Sequence, residues 1–462
     1  MIRAEIRSLL GPETADNSET ADENGSMNPA AQDNGFDTDT IERGRQAFDS
    51  SCTQCHEAER ALSKSKNLTL WLATVRRMAA KDDADIAAGD MLPIATYLAS
   101  LSAPGDGDAR ADSSAAGIGG DSVSFFGTIS TVWRGTDDTV ENKGFFPDVW
   151  IGAAWQPSGP VSGRVMACTS CHGDNEGLGV ELVEANLSLD LIHLLTDCKP
   201  EQRDECALDA RVKAGRFVVP FGAFAAKSHP GAYRTVSNPL MFNMGRRVGP
   251  TAVLQPVLPA PYADEGVDVS LKKPIWDNLT ATLDAYAVNG LQTGGTNVFA
   301  FSRSYRDNNS NLAVGGRGTI GNRYFKVGGS LMSGELQADG SAFQNYRLFG
   351  GDVTLRYEDF VRAYFEYAVR REDPFSGAEG TIKGTVVEGE VRVWNKPRIG
   401  LLGRYDTLQH NGVLGTDSIY RFTSGVNITL PGGSLLLINH ERWVFTDRQD
   451  TNILGLRWTA TF

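Results

Sequence analysis

From Ser122 onward, apolar and polar positions alternate with a period of two. Val361, Ala363, Phe365, Tyr367 and Val369 alternate with Arg362, Tyr364, Glu366 and Arg370. Val387, Val391 and Val393 alternate with Glu388, Glu390 and Arg392 in the same way. The chain ends on Leu454, Leu456, Trp458, Ala460 and Phe462, interleaved with Gly455, Arg457, Thr459 and Thr461. Successive side chains of a strand point to opposite faces, so each such segment has one apolar and one polar face. The connections alternate as well. Pro431-Gly432-Gly433, Asn395-Lys396-Pro397, Glu358-Asp359 and Gly321-Asn322 are tight, and longer polar segments lie between them at 409–418, 371–380 and 334–345. Upstream, 289–310 reads as one long loop and Lys273 to Asn278 as a short turn. Pro220 to about Glu265 reads as a very long loop of the kind that folds into a lumen. Earlier strands are placed near 122–133, 145–156, 161–168, 178–190 and 209–218; segment 191–208 fits poorly as a simple turn. Short turns on one side and long loops on the other predict an all-β antiparallel transmembrane β-barrel over 122–462, of about 16 strands. Both ends of the barrel are then periplasmic. Arg362, Glu366, Glu388, Glu390 and Arg392 are predicted on its lumen face.

Ahead of the barrel the period is helical. Residues 41–101 place Trp71, Leu72, Val75, Met78 and Ala79 at helical spacing, and Met91 to Leu101 predicts a closing helix with Leu92, Ile94, Tyr97 and Leu98 on one face. This predicts a small all-α domain. Residues 1–40 are rich in Asp, Glu, Asn, Ser and Ala and predict disorder. Residues 102–121 are Ala, Gly, Asp and Ser and predict a flexible linker.

Composition narrows the partners. A formal charge of -13 argues against nucleic acid, which needs a basic footprint. No apolar run of 18 or more residues predicts a transmembrane helix. Outer-membrane lipid is the expected surroundings of the barrel. Met1 to Leu10 lacks a basic region followed by an apolar core, although insertion into that membrane requires export. A leader upstream of the given sequence, or a start upstream of Met1, is therefore expected.

The chemistry lies in two identical spacings, Cys52-Thr-Gln-Cys55-His56 and Cys168-Thr-Ser-Cys171-His172. Cys-x-x-Cys-His is the attachment signature of c-type haem: two thiols bond the porphyrin and the adjacent His ligates iron. Two covalently bound haem c groups are the expected cofactors. A zinc site would need further Cys or His at ligand spacing, and neither motif has them. A redox dithiol would need a βαβ context. For the second haem, His229, Met241 and Met244 are candidate sixth ligands because they sit in the long loop; His193, His410 and His440 remain open. Cys198 and Cys206 are spaced for a local disulfide in an oxidising compartment, with a pair of thiols as the alternative.

The helices around the first motif resemble a small monohaem cytochrome c. Trp71-x3-Val75-Arg76-Arg77-Met78 before a Tyr-Leu helix resembles the pattern in which that Met is axial, which implies Met78 as iron ligand, with Met91 as the alternative. The last strand resembles the assembly signal of bacterial outer-membrane proteins. Ala214-Gly215-Arg216-Phe217-Val218-Val219-Pro220-Phe221-Gly222 resembles a motif of large anion-type porins in which a strand runs into a constricting loop. Together, residues 41–462 resemble the fused cytochrome–porins, a family in which a cytochrome c precedes an outer-membrane barrel and the best-known members oxidise extracellular Fe(II). The second haem motif departs from that pattern. The resemblance implies an outer-membrane electron conduit, with a periplasmic electron carrier such as a soluble cytochrome on one side. An extracellular donor or acceptor such as iron would stand on the other. The alternative is a solute-conducting porin whose haem modules gate, sense or dock.

Overall fold

The computed structural model describes residues 38–52, 68–79, 86, 88–101, 122–137, 144–156, 159–169, 180–195, 208–242, 256–276, 279–292, 311–322, 324–337, 343–357, 360–373, 380–395, 397–412, 415–430, 434–446 and 449–462. They fall into two compact units, one helical and one the barrel.

The barrel closes with sixteen strands. They are β1 (Ser122–Thr136), β2 (Gly144–Gln156), β3 (Val161–Thr169), β4 (Val180–Asp190), β5 (Asp209–Val218), β6 (Ala263–Trp276), β7 (Leu279–Val288) and β8 (Ala313–Gly321), followed by β9 (Phe325–Gln337), β10 (Phe343–Tyr357), β11 (Val361–Glu372), β12 (Gly380–Asn395), β13 (Arg398–Gly412), β14 (Gly415–Thr429), β15 (Leu435–Phe445) and β16 (Thr451–Thr461). Each pairs antiparallel with its neighbours, and β1 pairs with β16, from Thr128 opposite Thr461 to Thr136 opposite Ile453. Closure removes both sheet edges, so no strand is left with an unpaired side. The period of two sorts the faces as expected. Phe365, Tyr367, Val387, Leu401, Phe422, Leu454 and Trp458 point outward and exposed. Glu366, Arg370, Arg404, Asp406, Arg421 and Arg457 point inward and are buried. An apolar exterior around a charged lumen, on strands of 9 to 16 residues, is the construction of a membrane-spanning barrel.

Two connections differ from the sequence reading. The polar stretch 409–418 is not a long loop: β13 and β14 pair out to Gly412 opposite Gly415, so the strands continue as a ribbon. Polar residues are tolerated there because a paired ribbon beyond the lipid is wet on both faces. Likewise β6 runs through Lys273 to Trp276, shortening that turn. Segment 191–208 begins with a short helix, α4 (Leu191–Leu195).

In the helical unit, α1 (Thr38–Ala47) runs into a π-helical turn, Phe48–Cys52, and is followed by α2 (Leu68–Ala79) and α3 (Ala88–Ser100). Helix α1 crosses α3 closely at Gly44, where a Cβ would lie 2.0 Å from the Pro93 carbonyl oxygen and 2.9 Å from the Tyr97 Cβ. Phe48 and Tyr97 meet at 5.7 Å between ring centroids. Trp71, Val75, Ile94, Ala95 and Leu98 complete the buried set. Leu92 does not join them and is half exposed. Positions two apart on a helix lie on opposite faces, so Leu92 and Ile94 cannot share one. At the surface, hydrogen bonds from Arg45 and then Gln46 hold the Glu42 carboxyl down at about 2. No helix among the described residues is long and apolar enough to cross a membrane.

Candidate functional site

Residues 219–242, which follow β5, turn into the lumen. The segment leaves β5 at Val218, and at Gly222 the backbone takes φ +72° against the wall. A Cβ there would lie 1.7 Å from Glu366 Oε1, so only glycine permits both the left-handed conformation and the approach. The Gly222 and Phe224 amides donate to Ser330 Oγ of β9 (3.0 Å) and Glu366 Oε2 of β11 (3.1 Å). The segment then crosses to the opposite wall. His229 meets Trp150 of β2 at 6.2 Å between ring centroids, and Arg457 of β16 donates to the Tyr233 carbonyl at 2.6 Å. It returns through Arg234, paired with both carboxylate oxygens of Glu390 on β12 at 2.9 and 3.0 Å. Met241 ends this leg against Gly384 of β12. Phe221, Phe224, Leu240, Met241 and Phe242 pack there with wall residues Tyr346, Leu348, Ile382, Val386 and Trp443 into one buried apolar cluster.

The turning leg is held by a buried ionic latch. Cross-strand register sets Glu388 opposite Arg404, and Asp406 opposite Arg421. Arg421 donates to both oxygens of Asp406, to Ser237 Oγ (2.8 Å) and to the Asn238 carbonyl (2.6 Å). Arg404 donates to Thr235 Oγ1 (2.6 Å) and the Ser237 carbonyl (2.8 Å). The Leu240 amide donates to Asp406 Oδ2 at 2.8 Å, and the Ser237 hydroxyl donates to Glu441. Arg421 also lies 4.8 Å from the Trp443 ring. Two guanidiniums thus bridge wall carboxylates to loop backbone, so every buried charge in the latch has an opposite one within reach.

Of the haem-motif residues, Cys52 is half-buried at the end of the π-helical turn after α1, and Met78 is half-buried in the last turn of α2. Met91, the alternative ligand, is half-buried in α3. Cys168, one residue before the end of β3, faces the lumen, fully buried with Trp150, Met166 and Val183. It stands directly opposite Trp150 in the β2–β3 register. Its sulfur is disulfide-bonded. Cys55, His56, Cys171, His172, Met244, Cys198 and Cys206 lie outside the described residues. The structure separates the candidate sixth ligands of the second motif. His229 shares the Trp150 patch with Cys168, whereas Met241 is enclosed by the apolar cluster on the β12 wall. His440 faces outward, His410 lies at the loop end of β13, and His193 is on α4. Among the described residues no group of three or more His, Cys, Asp or Glu is arranged to hold a metal ion.

The sequence reading placed Glu366, Glu388 and Glu390 on the lumen face, where they are found. It did not find the latch. The inward alternation of Arg404 with Asp406 was a signal, but its partners Ser237 and Asn238 are more than 160 residues away.

No protein-family model and no curated protein sequence matches the chain. Solved structures do match the barrel. The anion-selective porin from Comamonas acidovorans aligns over 74% of this chain and 100% of its own, at 12% identity and TM-score 0.51. The outer membrane channel DcaP of Acinetobacter baumannii aligns over 75% of this chain and 99% of its own, at 10% identity and TM-score 0.50. At such identities the likeness is one of fold: this is a sixteen-stranded barrel of the outer-membrane porin type.

Proposed function

We propose that the chain is an outer-membrane electron conduit, carrying haem c at both Cys-x-x-Cys-His motifs. It would join a periplasmic electron carrier to an extracellular donor or acceptor such as iron. The observation that carries this reading is the pair of motifs at identical spacing in a chain that is otherwise a membrane barrel. When bound, haem c supplies reversible one-electron chemistry. Cys52 and Cys55 would hold the first group with His56, and Met78 or Met91 would complete its coordination. Cys168 and Cys171 would hold the second with His172, and His229 is the further ligand that the lumen geometry favours. The residues fit in two respects. Cys168 faces the lumen, not lipid, and its neighbours Trp150, Met166 and Val183 offer the apolar surface a porphyrin face needs. Thioether formation there requires a dithiol reductant first to return that disulfide to thiols, the reductant being oxidised to its own disulfide. The barrel's part is passive: its apolar exterior, ~25 Å tall, insulates, and its polar interior separates cofactor from lipid.

The test uses haem-loaded protein in liposomes with an electron acceptor trapped inside and a membrane-impermeant reductant outside. The acceptor is expected to be reduced with the wild-type protein and to stay oxidised with the Cys52→Ala, Cys168→Ala double variant. Equal rates for the two, or no reduction by either, would sink the proposal.

The second reading is a solute-conducting channel with the haem modules as gate, sensor or docking elements. The fold likeness taken alone favours it, since the similar structures are porins and channels. It predicts steady ion conductance in a planar bilayer that the Cys→Ala variants leave unchanged.

A further inference from the structure

Three cations stand together on the outer face of the barrel, at the end away from the short turns. On β10 the outward apolar run ends at Phe349, and Arg347 is the next outward position. On β11 the run ends at Val369, and Arg371 is next. On β12 Val387 and Thr385 are followed by Lys383. Register draws the three into one patch. Arg347 stands directly opposite Arg371, and Lys383, opposite Val369, is the diagonal neighbour of Arg371. Directly opposed side chains have Cβ atoms roughly 5 Å apart, and diagonal ones about 7–8 Å. All three cations are exposed, and among the described residues none makes an ion pair or a side-chain hydrogen bond. Like charges set opposite each other are destabilising unless something neutralises them. By contrast, Arg442, outward on β15, is paired with Asp450 at 3.4 Å. Described carboxylates do not serve the patch: Glu335 of β9 accepts from Asn311 at 2.5 Å, and Asp373 follows Arg371 past the end of β11. Asp339 and Glu379 lie outside the described residues, so the full chain, loops included, is what the test must use.

We propose that this patch binds the phosphate headgroup of a lipid of the outer leaflet. The short turns that join β10 to β11 and β12 to β13 mark the periplasmic end of such barrels, so the opposite end meets the outer leaflet. That leaflet is built of a phosphorylated glycolipid. Its acyl chains would lie along the apolar run of β10 to β12 while its phosphate meets the cations. Two guanidiniums side by side suit this, because each offers paired N–H donors matched to phosphate oxygens. Long Arg and Lys stems lie along apolar surface and carry the charge to its edge. A headgroup phosphate removes the repulsion between Arg347 and Arg371, and the apolar contact beside it separates a lipid from a free phosphate ion. The proposal is independent of haem content.

The experiment incubates purified full-length protein in detergent with lipid A, the bisphosphorylated glycolipid, in the presence of a chelator, and counts retained lipid by native mass spectrometry. Retention of lipid A is expected, with neither the dephosphorylated lipid nor inorganic phosphate held at equal concentration. Arg347→Gln and Arg371→Gln together should weaken retention about tenfold or more, as the loss of hydrogen bonds to a charged group implies. The heat-shifted gel mobility of the folded barrel should be kept. Should that pair fail to fold, Lys383→Gln alone should weaken retention severalfold. Equal retention by folded variants, equal retention of the dephosphorylated lipid, inorganic phosphate held as well as lipid A, or no retained lipid would each overturn the site.

Discussion

Arg421 shows how much rests on one side chain. It neutralises Asp406, approaches Glu441 at 3.6 Å and ties the Ser237–Asn238 turn to the wall. Removing one partner of a buried pair leaves the other charge uncompensated, at a cost of ~3–5 kcal/mol. Arg421→Ala should accordingly lower the urea midpoint of the folded barrel, and single-channel conductance should rise as the segment leaves the wall. An unchanged midpoint would show that the latch is already open in the membrane. His229 offers a spectroscopic test at the same scale. In haem-loaded protein, His229→Ala should convert one of two haems from low-spin to high-spin absorption. If both stay low-spin, another side chain is the ligand.

At the scale of elements, two close approaches define the joints. In the helical unit, Gly44 is the crossing point of α1 and α3, and no side chain fits between its Cα and the Pro93 carbonyl. Gly44→Val should cost ~1–3 kcal/mol by overpacking, so the thermal unfolding of the helical unit, followed by far-ultraviolet circular dichroism, should occur at a lower temperature. In the barrel, the closing seam depends on Gly127. Its amide donates to the Phe462 carbonyl at 3.1 Å, and the Phe462 amide returns the bond at 3.0 Å. A Cβ on Gly127 would lie 2.6 Å from the Phe462 ring and 2.6 Å from the Trp150 carbonyl oxygen. Gly127→Leu should therefore reduce the fraction of protein that shows heat-shifted mobility on a gel, because β1 and β16 no longer close.

For the whole molecule, the expectation is a single polypeptide that is both haem-stained and a folded barrel. A haem-stained denaturing gel of the outer-membrane fraction, run unboiled and boiled, should give one band that migrates faster unboiled. Haem stain confined to the soluble periplasmic fraction would separate the two properties and remove the conduit reading. The inward segment bears on the same question. It touches β9, β11, β12, β15, β16 and β2 on its path, so it is bound across the lumen and not to one side of it.

The barrel was legible in the sequence because its determinants are local. Alternation at Val361–Arg370 or Leu454–Phe462 assigns each residue a face without knowledge of its neighbour strand, and the turns between strands fix the count. The two Cys-x-x-Cys-His spacings were legible for the same reason, being five contiguous residues each. What alternation cannot encode is which inward residue meets which inward residue. Arg421 reaches Ser237, and Trp150 reaches His229, only because sixteen strands close and a long connection folds inside them. Local periodicity chose the faces and the elements; closure of the barrel, a long-range event, chose the partners.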